Sequence, residues 1–283
     1  MNNIGGFSDF CIPYTSKHHE LVDLLETLIK LGYRNVAIEQ QFDNTTYEKS
    51  KSAKRTGDAF PPPVNLEFLG DLRNKIKIYS RLTIIYSDNA VSHHMGTSQN
   101  IRKYDLIAGL PMTEASLQHC CQTFNGDIIT FNTDEKFMKC SRKFYKLAIQ
   151  RNMFFEIQYA PAIVDRSKRR CIIRKAHGYY SMGKSENIII SSGATNAFHL
   201  RGPYDVANLG LIFGLSEEQS KNSLRNNCRS ALLRASGRKN GCVIVVSSGK
   251  VAREESDDDS ESMDEEMEDA EIPCKKAKYS SKN

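Results

Sequence analysis

Short apolar runs alternate with longer amphipathic segments along most of this chain. Seven runs have the length and character of buried strands, at residues 7–12, 36–38, 82–86, 106–110, 127–131, 154–158 and 187–191, and residues 242–246 are a further candidate. Helical patterns lie between most of them, notably at residues 113–124 and 135–151. This alternation predicts an α/β fold with a (β/α) barrel of the TIM type. A doubly wound open sheet is the alternative that the pattern leaves open.

The first helix is predicted from five leucines that share one face. Ser16 is the candidate N-cap and Gly32 the C-terminal stop, and the leucines are at positions 21, 24, 25, 28 and 31. The next strand begins only four residues after Gly32. A strand, a helix, a short loop and a strand predict a parallel βαβ unit.

The stretch from Asn187 to Ala235 carries the most complete set of local signals. A buried strand is followed by a loop of small residues, and then by a helix that Pro203 opens and Gly214 ends. Ser216 and Gln219 have the spacing of a capping box for the next helix. One apolar face of that helix would carry Leu224, Cys228, Ala231, Leu232 and Ala235.

The same stretch carries a family resemblance. The run RGPYDVANLGLIFGLSE, preceded by NIIISSGA and followed by NCRSALLRA, resembles the thirty-kilodalton protein subunit of nuclear ribonuclease P and ribonuclease MRP. The similarity continues in RLTIIYSD, YDLIAGLP and FEIQYAPAIVD and covers roughly residues 4–248. It implies an irregular TIM barrel like that of the PHP-type metal phosphoesterases.

The charge is distributed unevenly. Residues 254–272 hold twelve Asp and Glu residues and no Lys or Arg, so the other residues carry 39 basic against 22 acidic side chains. We therefore predict one barrel domain over residues 1–248, with a polar loop insertion at 40–63, and a disordered acidic tail at 249–283. The tail ends in a basic cluster, Lys275, Lys276 and Lys278, which has the composition of a nuclear import signal. The basic body predicts a polyanionic partner, with nucleic acid first.

The eight cysteines show no C-x-x-C spacing, which favours free thiols in a reducing compartment such as the cytosol or nucleus. No apolar run reaches about 18 residues, so no membrane span is expected. The first ten residues also lack the pattern of a secretory signal.

A catalytic metal site in the barrel is the alternative hypothesis. Its candidate ligands are Asp9, His93 or His94, and Asp134, which follow or lie within predicted strands. The first strand reads Ser8-Asp9-Phe10-Cys11, without the His-x-His pair of the PHP enzymes that the fold resembles. Adjacent histidines such as His18-His19 suit a shared metal poorly. We therefore predict no catalytic residue, metal or other cofactor in this chain.

Basic residues after the sixth strand are the stronger candidate site. Six of them lie within ten residues, and with Arg201 at a helix start they form the predicted RNA-binding set: Arg166, Lys168, Arg169, Arg170, Arg174, Lys175 and Arg201. The alternative for Arg201 is a structural cap on the strand ends. Lys49, Lys51, Lys54 and Arg55 form a looser basic patch. Tyr179 and Tyr180 fit core or partner contacts better than base stacking.

The resemblance turns these observations into a functional expectation. It implies a protein subunit of the ribonucleoprotein that matures the 5′ end of precursor tRNA, and of ribonuclease MRP, in the nucleus and nucleolus. The catalytic RNA would hold the magnesium ions and perform the chemistry. The chain would bind that RNA, contact precursor tRNA and dock a small ferredoxin-like subunit and other subunits of the particle.

Overall fold

The computed structural model describes residues 5–45, 58–132, 138 and 140–241. In this part of the chain the strands are β1 (Phe7–Pro13), β2 (Tyr33–Asp43), β3 (Lys77–Tyr86), β4 (Leu106–Pro111), β5 (Ile128–Ile129), β6 (Phe154–Gln158) and β7 (Ile188–Ser191). The helices are α1 (His18–Lys30), α2 (Leu72–Lys75), α3 (Val91–Thr97), α4 (Glu114–Gln122), α5 (Arg142–Gln150), α6 (Ala160–Val164), α7 (Arg166–Gly183), α8 (Pro203–Ile212), α9 (Glu217–Leu224) and α10 (Asn226–Asn240).

The seven strands form one sheet in the order β1 to β7, and every neighbouring pair is parallel. The sheet curls into a nearly closed barrel, because β1 and β7 approach each other. Among the described residues no strand ladder joins these two strands. The Ser192 N–H instead donates to the Asp9 carboxylate at 3.0 Å, and the Gly193 N–H donates to the Cys11 carbonyl at 2.9 Å. The barrel prediction is confirmed. These two hydrogen bonds, and not a strand ladder, join β1 to the end of β7 in the described part of the chain.

The barrel interior has two chemically different halves. Towards the amino ends of the strands it is apolar, with Phe10, Ala37, Leu106, Ala108, Ile128, Phe154 and Ile189. Two residues further along the strands, the inward positions are polar. They are Glu39 of β2, Arg81 of β3 and Glu156 of β6. Successive inward residues are two apart on a strand, so Phe154 and Glu156 share one face of β6. Apolar residues that alternate with these inward positions, such as Val36, Ile38 and Leu82, pack outward against the helices.

Helix α10 packs against the amino-terminal half of the interior. Its buried residues Cys228, Ala231, Leu232 and Ala235 belong to the same apolar cluster as the inward strand residues. Arg238 fixes the helix through Asp127, whose buried Oδ2 accepts from Arg238 Nη2 at 2.9 Å and from the Ile107 N–H at 2.9 Å. Arg238 is therefore structural, since its partner Asp127 directly precedes β5 and is also hydrogen-bonded to β4.

Most elements appear where the sequence predicts them. The strand at residues 154–158 has the predicted bounds, whereas the strand at 127–131 shrinks to two residues and the second strand is longer, through Asp43. Pro203 occupies the first turn of α8, and Gly214 and Gly32 have φ values of +84° and +92° at helix ends. The capping box of Ser216 and Gln219 is confirmed by both hydrogen bonds.

Three local predictions are wrong. Helix α1 begins after Lys17 without a side-chain cap, so Ser16 does not cap it. The helix expected from Ser216 to Ala235 is two helices, because Arg225 leaves helical geometry at φ −127° and ψ −73°. The helix predicted over residues 135–151 begins only at Arg142, where the Ser141 hydroxyl accepts from the Phe144 N–H.

None of the helices in the described ranges is long and apolar enough to cross a lipid bilayer. The six cysteines that the structure describes are free thiols. Several predictions concern residues outside the described ranges. They are the strand at 242–246, the acidic tail, the terminal basic cluster, the candidate ligand Asp134, and the basic patch of Lys49, Lys51, Lys54 and Arg55.

Candidate nucleic-acid interface

The polar half of the barrel interior is organised around the guanidinium group of Arg81. Its Nη1 and Nη2 donate to the two carboxylate oxygens of Glu156 at 2.5 and 2.7 Å, and Nη2 lies 3.3 Å from Glu39 Oε1. Nε donates to the Thr83 hydroxyl at 3.1 Å, and Nη1 also donates to the Phe10 carbonyl at 2.7 Å. All three charged side chains are almost completely buried. The interior thus contains one cation between two carboxylates.

This arrangement controls the ionisation of the group. Burial would raise the pKa of Glu156, but the adjacent Arg81 charge and the Ser191 hydroxyl, which donates at 2.7 Å, hold that pKa below its ordinary value. Burial opposes the charge of Arg81, yet Glu156 raises the pKa of Arg81 above its ordinary value. Glu156 is therefore ionised, and Glu39 and Glu156 both lie against the same cation.

Asp9 lies at the junction of β1 and β7. Its Oδ1 accepts from the N–H groups of Ser192 and Cys11, whereas its Oδ2 is buried without a hydrogen-bond partner. Burial raises the pKa of Asp9 to about 6, and the polar groups of Ser192 and the Cys11 N–H limit that rise. The carboxyl group is thus used to close the barrel.

The structure does not bring together the candidate metal ligands that it describes. Asp9 is inside the barrel wall, whereas His93 and His94 lie on α3, where the Nδ1 of His94 is 3.3 Å from Asn44 Oδ1. Within the described ranges, no group of three or more His, Cys, Asp or Glu side chains is arranged to hold a metal ion. The metal hypothesis therefore lacks a convergent ligand set among these residues.

The predicted basic residues after β6 lie on α7. Asp165 caps this helix, since its Oδ1 accepts from the N–H groups of Ser167 and Lys168. Arg166, Arg170 and Arg174 are four residues apart, so they project from one face of the helix. All three are exposed, and none of them forms an ion pair within the described part of the chain. We call these three residues the α7 stripe.

Two of the other predicted residues on α7 have structural roles. Arg169 Nε donates to the Ala162 carbonyl at 2.6 Å, and its Nη2 donates to the Ile163 carbonyl at 3.3 Å, which satisfies the end of α6. Lys175 is only 6% exposed, donates to the Met138 carbonyl at 3.2 Å and lies over the Phe131 ring. The burial of this side chain disfavours the predicted RNA contact of Lys175, which stays a prediction. Lys168 is half-buried.

Arg201 organises the loop between β7 and α8. Its Nη1 donates to the carbonyl groups of Phe198 and Leu200, both at 2.8 Å. Its backbone N–H donates to the Tyr159 hydroxyl, and its carbonyl accepts from the Tyr33 hydroxyl, both at 3.0 Å. The structural alternative for this residue is therefore supported by four contacts, and RNA contact stays a prediction.

The two tyrosines on α7 differ in environment. Tyr179 is buried against the rings of Tyr145 and Phe155, which makes it a core residue. Tyr180 is 54% exposed. Helix α8 exposes further apolar side chains at Tyr204, Leu211 and Ile212, which share one face at a spacing of seven and eight residues.

Sequence reasoning missed the Arg81 group, although a signal was present. Charged residues interrupt apolar strands in RLTIIY, VAIEQ and FFEIQ, and each is at an inward position of the period-two pattern. A charged inward position inside a barrel requires a partner there, so the three residues predict one another once the barrel is assumed.

Comparisons with known proteins agree with this structure. The sequence profile of the family described as RNase P subunit p30 matches residues 6–240. The mouse ribonuclease P protein subunit p30 is 34% identical over 278 residues, which are 97% of this chain and 99% of the mouse protein. The Saccharomyces cerevisiae ribonuclease P/MRP protein subunit RPP1 is 26% identical over 76% of this chain and 72% of its own length.

A solved structure has the same fold. It is a chain in the cryo-EM structure of archaeal ribonuclease P with mature tRNA, with a TM-score of 0.57 and 15% identity, covering 88% of this chain and all of that one. The match extends over the barrel and supports the fold assignment.

Proposed function

The chain belongs to the RNase P subunit p30 family, and from this membership we propose that it is a protein subunit of ribonuclease P that supports 5′ maturation of precursor tRNA. The similarity to the mouse subunit over almost the full length of both chains is the observation that carries the proposal. The relative named as a ribonuclease P/MRP subunit extends it to ribonuclease MRP. We place the chain in the nucleus, including the nucleolus, with these particles.

In this function the chain binds RNA and other subunits, and the RNA component performs the chemistry with its own magnesium ions. The cation of Arg81 between Glu39 and Glu156 supports this division. It pairs both interior carboxylates with a cation of the protein itself, so that they are not open ligands for a metal ion. A phosphoesterase acting from the barrel is disfavoured for the same reason.

The outer surface supplies the binding groups. The α7 stripe presents three guanidinium groups without acidic partners, which suits phosphate oxygens of the catalytic RNA or of precursor tRNA. The exposed apolar face of α8 suits a protein instead, because such a face is costly to leave in water. We assign it to another subunit of the particle, the small ferredoxin-like subunit being the candidate that the family resemblance implies.

The test is purification of the tagged full chain from nuclear extract, followed by an assay for cleavage of precursor tRNA. We expect the activity to co-purify and to disappear when RNA in the eluate is digested before the assay. A mock digestion with inactivated nuclease is the control. Activity that survives complete RNA digestion would move the catalytic site to protein and overturn the proposal, as would a chain that carries neither activity nor ribonuclease P RNA.

A further inference from the structure

A cationic cavity lies at the amino ends of the first three strands. It is formed where β1, β2 and β3 begin, has a volume of about 470 Å³, and is lined by Gly5, Gly6, Arg34, Asn35, Arg73, Asn74, Lys75, Ile76 and Lys77. We call it the amino-end pocket. No residue predicted for RNA binding from the sequence lies in it.

The charge of the amino-end pocket has a single sign. Arg34, Arg73, Lys75 and Lys77 line it and are exposed, and no Asp or Glu is among the lining residues. Arg34, Arg73 and Lys75 form no ion pair with any described residue. Like charges that surround a concave surface raise the local concentration of anions, because the field of each cation adds to the others.

The position of Arg34 is built into the backbone. Gly6 has φ +91°, and a Cβ atom there would lie 2.6 Å from Arg34 Cγ and 2.8 Å from Arg34 Cβ. The stem of Arg34 therefore lies directly on the Gly6 backbone, which only glycine permits. Beside it, the buried Asn35 donates to the Gly5 carbonyl at 3.1 Å and to the Ser8 hydroxyl at 3.2 Å. These contacts hold the start of β2 against Ser8 of β1 and against Gly5, which precedes β1.

The size and chemistry of the cavity indicate its ligand. A volume of about 470 Å³ is in the range of small-molecule sites and exceeds what one phosphate group fills. Arg34, Arg73 and Lys75 can together neutralise more than one phosphate, and none of the described lining residues is an aromatic residue on which a base could stack. The site therefore suits consecutive phosphodiesters of a nucleic-acid backbone and carries little information about base sequence.

We propose that the amino-end pocket binds the sugar–phosphate backbone of RNA, independently of base sequence. This inference rests on the proposed function for the choice of RNA as the polyanion. It adds a contact at the amino ends of the strands to the one on α7, so that the chain holds RNA at two separate parts of the barrel surface.

The test measures binding of the full chain to a fluorescein-labelled transcript of ribonuclease P RNA over a range of salt concentrations. The variant Arg73→Gln with Lys75→Gln removes two cations from exposed positions. We expect its affinity to fall about tenfold at low salt and the slope of log K against log salt to decrease by about one to two. Arg34→Gln should act in the same direction.

The matched control is Lys30→Gln with Lys221→Gln. It changes the net charge equally but removes exposed lysines that pair with Glu26 and Glu217. We expect its salt slope to equal that of the wild type. Equal losses in the two double variants would mean that only net charge matters, and this would overturn the proposal. Thermal melting of each variant excludes misfolding as the cause.

Two further measurements distinguish RNA from a small anion as the ligand, and failure of the pocket proposal from failure of the proposed function. If Arg73→Gln with Lys75→Gln loses binding of inorganic pyrophosphate but keeps wild-type RNA affinity, the pocket is a site for a small anion and the proposal is wrong. If the variant still co-purifies with precursor-tRNA cleavage and binds RNA as the wild type does, the pocket proposal fails while the proposed function stands. Absence of cleavage from the wild-type purification would instead count against the function.

Discussion

Arg81 and Glu156 are 75 residues apart in sequence and form a bidentate ion pair inside the barrel, with N–O distances of 2.5 and 2.7 Å. Neither side chain is exposed to solvent. Glu39 lies on the other side of the guanidinium group, at 3.3 Å. Because buried charges are costly without partners, this group makes the interior strongly dependent on each of its members.

Removing one carboxylate should therefore destabilise the fold. We expect Glu156→Gln to lower the free energy of unfolding by about 3–5 kcal/mol, since Glu39 is then the one anionic partner that Arg81 keeps among the described residues. Urea denaturation followed by circular dichroism measures this. Glu217→Gln is the matched control, because Glu217 pairs with Lys221 at 2.6 Å on the surface, where water screens the pair and its loss should change the free energy of unfolding little. Similar losses in both variants would contradict the prediction.

Asp9 should make stability depend on pH. Burial raises its pKa from the ordinary 3.8 to about 6, so below pH of about 4 the carboxyl group is protonated in both the folded and unfolded chain. Between these values the unfolded chain releases the proton first, and the folded state loses up to about 3 kcal/mol as the pH rises. Asp9→Asn, which keeps an acceptor oxygen, should remove this loss.

The measurement is urea unfolding of wild type and Asp9→Asn from pH 4 to 8. We expect the stability of the variant to gain on that of the wild type up to pH of about 6 and the difference to remain constant above it. The exposed Asp23 provides a control, since Asp23→Asn should follow the wild-type curve. Parallel curves for the wild type and the Asp9 variant would show that Asp9 ionises normally.

Adjacent arginines on α7 should behave differently. Arg170→Gln removes an exposed cation of the α7 stripe, so we expect weaker binding of ribonuclease P RNA, a smaller salt slope and unchanged melting. Arg169→Gln removes the hydrogen bond to the Ala162 carbonyl, so we expect a loss of about 1 kcal/mol in stability and a smaller effect on RNA affinity. Salt-dependent anisotropy and thermal melting of both variants distinguish the roles. The reverse pattern would refute the assignment.

Lys175 should be dispensable for RNA binding. Burial lowers its pKa, and its contacts include the Met138 carbonyl and the Phe131 ring. We expect Lys175→Met to keep the RNA affinity and salt slope of the wild type, and to change stability by no more than about 1.5 kcal/mol because the side chains have similar volume. A drop in the salt slope without a loss of stability would show that this lysine does reach RNA.

The confirmed parts of the fold prediction are those with local causes. Strand β6 has the predicted bounds because an apolar run and its period-two pattern are contained in five residues. The capping box of Ser216 and Gln219 spans four residues and forms as predicted. The break at Arg225 was missed because the apolar spacing continues across it, and only the packing of α10 into the barrel requires the change of direction there.

For the candidate site, too, the sequence determined the local features but not those that depend on tertiary packing. The sequence determined that a basic segment follows β6 and that it begins a helix, since both are properties of consecutive residues. The sequence did not determine which of the cations are available to bind a ligand. Arg169 is used by α6 and Lys175 is buried against Phe131, whereas Arg34 joins Arg73 and Lys75 across about forty residues of chain.

The sequence by itself thus determined the order of strands and helices, the family, and the basic character of the body. The tertiary structure alone decided that Arg81 meets Glu39 and Glu156, and that Asp9 closes the gap between β1 and β7. The reason is physical. Secondary structure depends on groups a few residues apart, whereas the environment of a charge depends on every strand and helix that surrounds it.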